Sequence, residues 1–394
     1  MIRRSLGVIV DVTGSSVYGF YIFWVLSQIL EFAQFGRYVF GTAVIAFASP
    51  FLIMNLHTYV FVQDGVDFRK KMYFAKVYIP VLTLLVLCFT LFFALIAGYQ
   101  IDVILLLIAS IFRIIEIFPR TYIRNIDEKK SLLINSCLLI FTFFVSAFVF
   151  YIAPNDFSVV YFCLSIFSLM VQWINLPKQQ YTSSINRSDV YNFLHFSLPL
   201  LVSGFIVLAY TKVDQIMIKF FLGYESLASY GVAVRIIDGA VMVWTTIQSY
   251  WVKRLFDNDA DYIIFFKFAW VFGTSACVAV LFFGEFFVNF FFSFEYHESL
   301  RVLFVLLPLA FFIPLNSVSS FWLQRQGLVR LSPYRSLLGF FMNICFNFVF
   351  IPIYGLYGAA IGTVLAQFAV CFVFPAVSAQ SRGLYALLFL GVFR

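Results

Sequence analysis

Runs of about 20 apolar residues recur along almost the whole chain, with little but short polar loops between them. A helix of that length covers the roughly 30 Å hydrocarbon core of a bilayer, where only helices and closed barrels satisfy their own backbone. The pattern confines the chain to an all-α polytopic membrane protein. Twelve segments are long enough, at residues 6–30, 38–62, 72–97, 103–118, 131–152, 157–176, 193–222, 227–252, 262–292, 300–323, 334–353 and 357–377. Composition agrees: 63% of the 394 residues are hydrophobic and 11% are charged, more apolar surface than a water-soluble fold of this length hides. The start, MIRRSLGVIVDVTGSSVYGFYIFWVL, has the two arginines and apolar run of a signal peptide. Asp11 interrupts the run and apolarity continues to Leu30, so it reads as an uncleaved first helix. The tail 384–393 is too short to cross and is expected at the surface.

Loop charges orient the twelve segments. One alternate set of loops carries 17 basic residues, from Arg3 and Arg4 through Arg69, Lys70 and Lys71 to Arg325, Arg330, Arg335 and Arg382. The other set carries only Arg37 and Arg301. This bias places both termini in the cytoplasm, which an even number of spans requires. The net charge of +7 is therefore distributed by loop and forms no nucleic-acid patch.

The longest loop, residues 177–192, is polar and lies at the midpoint. It reads as a cytoplasmic linker between an amino-terminal six-helix bundle, residues 1–176, and a carboxy-terminal one, residues 193–394. Two weak echoes support a duplication. FGRY ending at Tyr38 resembles LASY ending at Tyr230, and KSLL from Lys130 resembles RSLL from Arg335. Such halves are parallel repeats related by a pseudo-two-fold axis along the membrane normal, and transporters of this design place their site between the halves.

The loops leave no room for a soluble catalytic or nucleotide-binding domain, and no G-x-x-x-x-G-K-S/T phosphate loop is present. No Ser/His/Asp set or carboxylate pair in a loop suggests enzyme chemistry. The six cysteines fall in apolar stretches without metal-ligand spacing, so neither a disulfide framework nor a bound metal or other cofactor is expected. Gly358-x-x-x-Gly362-x-x-x-Ala366 reads as a small-residue ridge for helix packing. Pro50, Pro80, Pro199, Pro308 and Pro314 read as kinks. His57, near a cytoplasmic end, can carry a coupling proton, although a lone histidine is more often structural.

The informative residues are the charges inside the apolar segments. At 1.5 Å per residue, Lys212 lies about 15 Å below the outer end of segment seven, and Arg235 roughly 12 Å below the same end on segment eight. Asp214 and Asp238 bracket them, and Lys219 shares a face with Lys212. Segment four repeats the arrangement with Arg113 and Glu116, three residues apart on one face. Asp11 lies nearer the cytoplasm. Charges at such depth are rare and mark pathways or pair with one another. They read either as ion pairs holding helices in register or as the cationic lining of a polar cavity. The shared depth of the bases, with Tyr210, Thr211 and Gln215 beside them, favours the cavity.

Segments seven and eight also carry a resemblance. SLPLLVSG from Ser197 to Gly204, YTKVDQIMI from Tyr210 to Ile218, Leu222-Gly223, Tyr230 and Ala233-Val-Arg235 followed by Asp238 are similar to motifs of the polysaccharide (O-antigen) flippases. These belong to the multidrug/oligosaccharidyl-lipid/polysaccharide exporter superfamily. A second match, NFVFIPIYGLYGAAIGT from Asn347 to Thr363, resembles the family's N-x-x-x-I-P-x-Y-G-x-x-G-A-A-x-x-T. The first half matches only loosely.

The resemblance implies a flippase of the bacterial inner membrane, working by alternating access in O-antigen, lipopolysaccharide or capsular polysaccharide assembly. Its substrate would be an undecaprenyl-diphosphate-linked oligosaccharide, with polymerase and chain-length proteins as further partners. A proton or sodium gradient would drive it. Lys212, Arg235, Arg113, Lys219, Tyr210 and Gln215 are the candidates for holding the diphosphate and sugars, since an anion needs counterions to cross. Asp214, Asp238, Glu116 and Asp11 are the candidate coupling groups, because burial can bring a carboxylate's protonation into the working range. The alternatives are a cation-coupled drug exporter of the same superfamily, which would line its cavity with net acid, and a membrane polymerase, which would need a sizeable outer loop.

Overall fold

The computed structural model describes residues 2–53, 68–96, 98–176, 187–257, 259–381 and 383–384. Among the described residues the chain is helical and has no strand. The helices are α1 (Ile2–Ile29), α2 (Phe32–Ile53), α3 (Phe68–Ile96), α4 (Ile101–Ile126), α5 (Glu128–Ile152), α6 (Phe157–Ile174) and α7 (Arg187–Leu222). They continue as α8 (Tyr224–Asp257), α9 (Asp259–Phe291), α10 (His297–Leu306), α11 (Leu309–Arg325), α12 (Leu331–Tyr354), α13 (Leu356–Phe368) and α14 (Phe374–Val377). Helices cover all or most of each predicted segment. His57, linker residues 177–186 and tail residues 385–394 lie outside the described residues.

Among the described residues, six helices are long and apolar enough to cross a bilayer, and a seventh joins them if α10 and α11 count as one bent span. That pair bends by 47°. Pro308 lies in the break between Leu306 and Leu309 and has no N–H to continue the helical ladder, so the single predicted segment 300–323 forms two helices. Apolar side chains on the outer faces are exposed, Phe282, Phe286 and Phe290 of α9 among them, as lipid-facing helices require.

Contacts group the chain into two compact units, residues 1–40 with 209–394, and residues 41–208. This is a different cut from the bundles expected at 1–176 and 193–394, which were counted along the sequence. The first unit is tightest between α12 and α13. Gly355, at φ 60°, turns one helix into the other, a conformation that costs glycine little. A Cβ at Gly358 would stand 2.1 Å from the Phe350 carbonyl oxygen, so the small-residue ridge allows the two backbones to touch. Trp244, Phe265, Phe266, Leu315 and Trp322 form a buried core between α8, α9 and α11.

In the second unit, Gly41 abuts Leu107, where a Cβ would come within 2.4 Å of the leucine methyl. The α4–α6 contact buries a partly polar stripe of α6 that includes Ser158, Ser165, Ser168 and Gln172. Asp127 caps α5 by accepting the Lys130 backbone N–H at 3.0 Å.

Candidate functional site

The deep charges divide into three environments. In the second unit, Arg113 of α4 is paired. Its Nη1 donates to Glu116 Oε2 at 3.2 Å and to Ser168 Oγ at 3.4 Å. Ser168 in turn donates to Glu116 Oε1 at 2.9 Å, and Glu116 is buried. A turn further along α6, Gln172 donates to Asn135 Oδ1 at 2.5 Å, and Asn135 to Ser131 Oγ at 3.2 Å. The guanidinium therefore already has its counterion, and the network ties α4, α5 and α6 together.

In the first unit, Arg235 of α8 makes no such pair. Asp238, three residues on, is exposed, and among the described residues no ion pair joins them. The guanidinium instead lies 5.4 Å over the Phe23 ring of α1. It also fills the space beside Gly19, where a Cβ would come within 3.0 Å of Nη2. A partly buried guanidinium resting on an aromatic face keeps donors for an incoming anion. Lys212 is partly buried and forms no ion pair within 4 Å among the described residues. Lys219 is engaged otherwise: its ammonium sits 4.1 Å over Phe220 and 5.5 Å over both Phe40 and Tyr224. Three rings around one ammonium tie the C-terminal end of α7 to α2 and α8.

The third environment surrounds Asp214, 3% exposed. Tyr230 of α8 donates to its Oδ2 at 2.6 Å, Thr363 of α13 donates to the same oxygen at 3.1 Å, and the Gln215 backbone N–H donates to Oδ1 at 2.8 Å. Three helices thus converge on one carboxylate, and Lys212 lies two residues before it on α7. Gln215 is buried beside it. Tyr210 is buried with its ring against Gly339 of α12. The Asp11 side chain lies outside the described residues. An apolar hollow of about 560 Å³, lined by Val17, Phe20 and Trp24 of α1, Ile236 and Ala240 of α8 and Ala279 of α9, lies off the other face of α1 from Gly19 and Phe23. Among the described residues, no group of three or more His, Cys, Asp or Glu is placed to hold a metal ion.

The structure also brings in residues that sequence reasoning passed over. Thr363 and Tyr230 lay inside the family motifs, but nothing in their spacing linked them to Asp214. Arg335, counted among the loop charges, is a correction: it lies inside α12 and is 6% exposed. Its signal was the four-residue spacing that it shares with Asn343 and Asn347, a polar stripe on an otherwise apolar helix.

Among the described residues, long apolar helices converge on buried charges, and solved structures share this fold. The inward-facing conformation of a multidrug resistance MATE family transporter of the MOP superfamily aligns with a TM-score of 0.69 at 14% identity, covering 98% of this chain and 95% of that one. The lipid II flippase MurJ, inward closed, aligns with a TM-score of 0.71 at 16% identity, covering 99% and 92%. A Vibrio cholerae MATE transporter aligns at 0.62 and 11% identity, covering 100% and 98%. No curated protein sequence matches significantly. The sequence profile described as polysaccharide biosynthesis protein matches residues 4–252, well over half of the chain, and the chain belongs to that family.

Proposed function

We propose that the protein is a flippase that carries an undecaprenyl-diphosphate-linked oligosaccharide from the inner to the outer leaflet of a bacterial inner membrane. It does so by alternating access for O-antigen or capsular polysaccharide assembly. In this reading twelve spans form two six-helix bundles related by pseudo-two-fold symmetry, and both termini are cytoplasmic. The family supports a role in polysaccharide biosynthesis, and the fold is one that flippases and exporters share.

One observation carries the choice of an anionic cargo. Arg235 is a partly buried guanidinium with no acidic partner among the described residues, seated against Gly19 and Phe23. A diphosphate offers it charge-assisted, bidentate hydrogen bonds. Lys212, likewise without an ion pair among the described residues, adds a second positive charge. A cationic drug would be repelled by both, which disfavours the drug-exporter reading. Asp214, held by donors from α8 and α13, is the leading ion-coupling group, and a proton or sodium gradient supplies the driving force. Polymerase and chain-length proteins would take the product onward.

The experiment replaces Lys212 and Arg235 with Ala, singly, in a strain lacking the wild-type copy, and measures surface polysaccharide. Loss at normal protein levels is expected. Full polysaccharide in both variants sinks the assignment.

A further inference from the structure

The buried face of α12 is polar where a membrane helix is ordinarily apolar. Arg335, Gly339, Asn343 and Asn347 follow at four-residue steps and, with Ile351, are its buried positions. Such steps stack side chains along one face at about 6 Å intervals. Asn347 Nδ2 donates to Asn343 Oδ1. Asn343 Nδ2 donates to the Tyr210 carbonyl at 3.3 Å, one turn before Asp214 on α7. Asn347 also lies against Gly362, the neighbour of Thr363, where a Cβ would come within 2.5 Å of Asn347 Oδ1. At the other end Arg335 Nη2 donates to the Asn316 carbonyl at 3.2 Å and to Ser320 Oγ. Asn316 Nδ2 donates to Gln367 Oε1 at 2.7 Å. The polar groups near Asp214 and near Arg335 therefore line one face of α12 as a column inside one compact unit, with the Tyr210 ring against Gly339 closing the space between them.

Three features set the column apart. First, the partners of Arg335 are all neutral: among the described residues no carboxylate lies within 4 Å. A guanidinium so placed is costly, and a neutral amide would hold the helices as well. Second, among the described residues Arg335 Nη1, Tyr210 OH, Asn316 Oδ1 and Asn347 Oδ1 are buried without hydrogen-bond partners. Orphaned polar atoms are rare in native interiors and call for a reason; a file of them suits a path that is dry in one state and wetted in another. Third, the wide π turn Ala369–Val373 interrupts the helix two residues after Gln367, a distortion common at functional sites.

We infer that this column is a closed ion path to Asp214 and that Arg335 is its charge barrier. The inference rests on the reading of Asp214 as the coupling group. Loop charges assign the Arg335 end to the cytoplasm. A fixed positive charge there repels a cation moving along the column, as an arginine does in other selective pores. Asp214 then exchanges its ion only through the transport cycle, and the gradient is not dissipated without cargo.

The test uses the full chain in liposomes under an imposed sodium or proton gradient, without lipid-linked substrate, following radioactive sodium uptake and an internal pH dye. Arg335→Gln raises the leak of the coupling ion by about tenfold over wild type. Arg335→Lys keeps the charge and stays tight. Adding Asp214→Asn to Arg335→Gln returns the leak to the wild-type level. A monodisperse Arg335→Gln protein that leaks no more than wild type overturns the inference, and so does a leak that Asp214→Asn leaves unchanged. Should the glutamine variant not fold, Arg335→Met, which buries no unpaired polar group, is read against the same outcomes. Substrate movement by wild type that ignores both gradients breaks the coupling reading itself. A tight Arg335→Gln in a protein whose transport needs a gradient breaks only the barrier.

Discussion

Arg113 and Arg235 look alike as sequence and differ as structure. Each lies deep in an apolar segment with an acid three residues on. Arg113 closes on Glu116 at 3.2 Å, and Ser168 bridges the pair from α6. Arg235 leaves Asp238 exposed and rests on Phe23. An i,i+3 spacing permits an ion pair; the neighbouring helix decides whether one forms. At Arg113 the neighbour offers a hydroxyl that completes the carboxylate's shell. At Arg235 it offers a glycine gap and an aromatic face, which accommodate a cation without neutralising it. The first arrangement holds helices, and the second holds a charge ready for something else.

The largest expected effect tests the first half of that contrast. Arg113→Ala leaves the buried Glu116 without a counterion, held by the Ser168 hydroxyl alone, and destabilises the protein by about 3–5 kcal/mol, read as unfolding in detergent micelles. Arg113→Met with Glu116→Leu recovers most of the loss, because the pair is replaced by apolar groups of similar size. A single variant as stable as wild type would break the contrast.

Arg235→Ala is expected to do the reverse. It leaves the melting temperature nearly unchanged and lowers flipping of a diphosphate-linked lipid by about a hundredfold, the scale of about 2–3 kcal/mol for a charge-assisted hydrogen bond. A drop in stability without a drop in transport would make Arg235 a second Arg113.

Asp214→Asn sharpens the comparison from the acidic side. The amide oxygen still accepts from Tyr230 and Thr363, but its NH2 meets the Gln215 backbone N–H that Oδ1 accepted, so the stability cost is about 1–2 kcal/mol. Stimulation of transport by an imposed ion gradient disappears, while gradient-free exchange persists. The smallest effect belongs to Lys219→Gln, which removes the charge from its three rings. It costs about 0.5–1 kcal/mol of stability and leaves transport unchanged. A transport defect there would move Lys219 from anchor to cargo site.

Much of this was legible in the chain. The helices fall on the apolar segments, because hydropathy over about 20 residues is a local property. The motif around Tyr210–Ile218 led to the right family, and Asp214 stood out as a charge in an apolar run. Other features were hidden. The break at Pro308 could be read as a kink but not as two helices bent by 47°. Arg335 looked like a loop charge because it lies near the start of its segment. Only packing among α7, α11, α12 and α13 shows it buried.

By itself, then, the sequence determined the solvent in which this protein folds, the helices that must form there, the family and the few residues whose burial needs a reason. Tertiary structure alone decided what those residues meet. The hydroxyl that bridges Arg113 and Glu116 came from α6, 55 residues on from Arg113; the seat of Arg235 came from α1, more than 200 residues back; one of the hydroxyls on Asp214 came from α13, 149 residues on. Apolarity places a residue at a depth, but it carries no information about which helix lies alongside. That is set by close packing of side chains distant in the chain, and it determines whether a buried charge is neutralised, caged or left available.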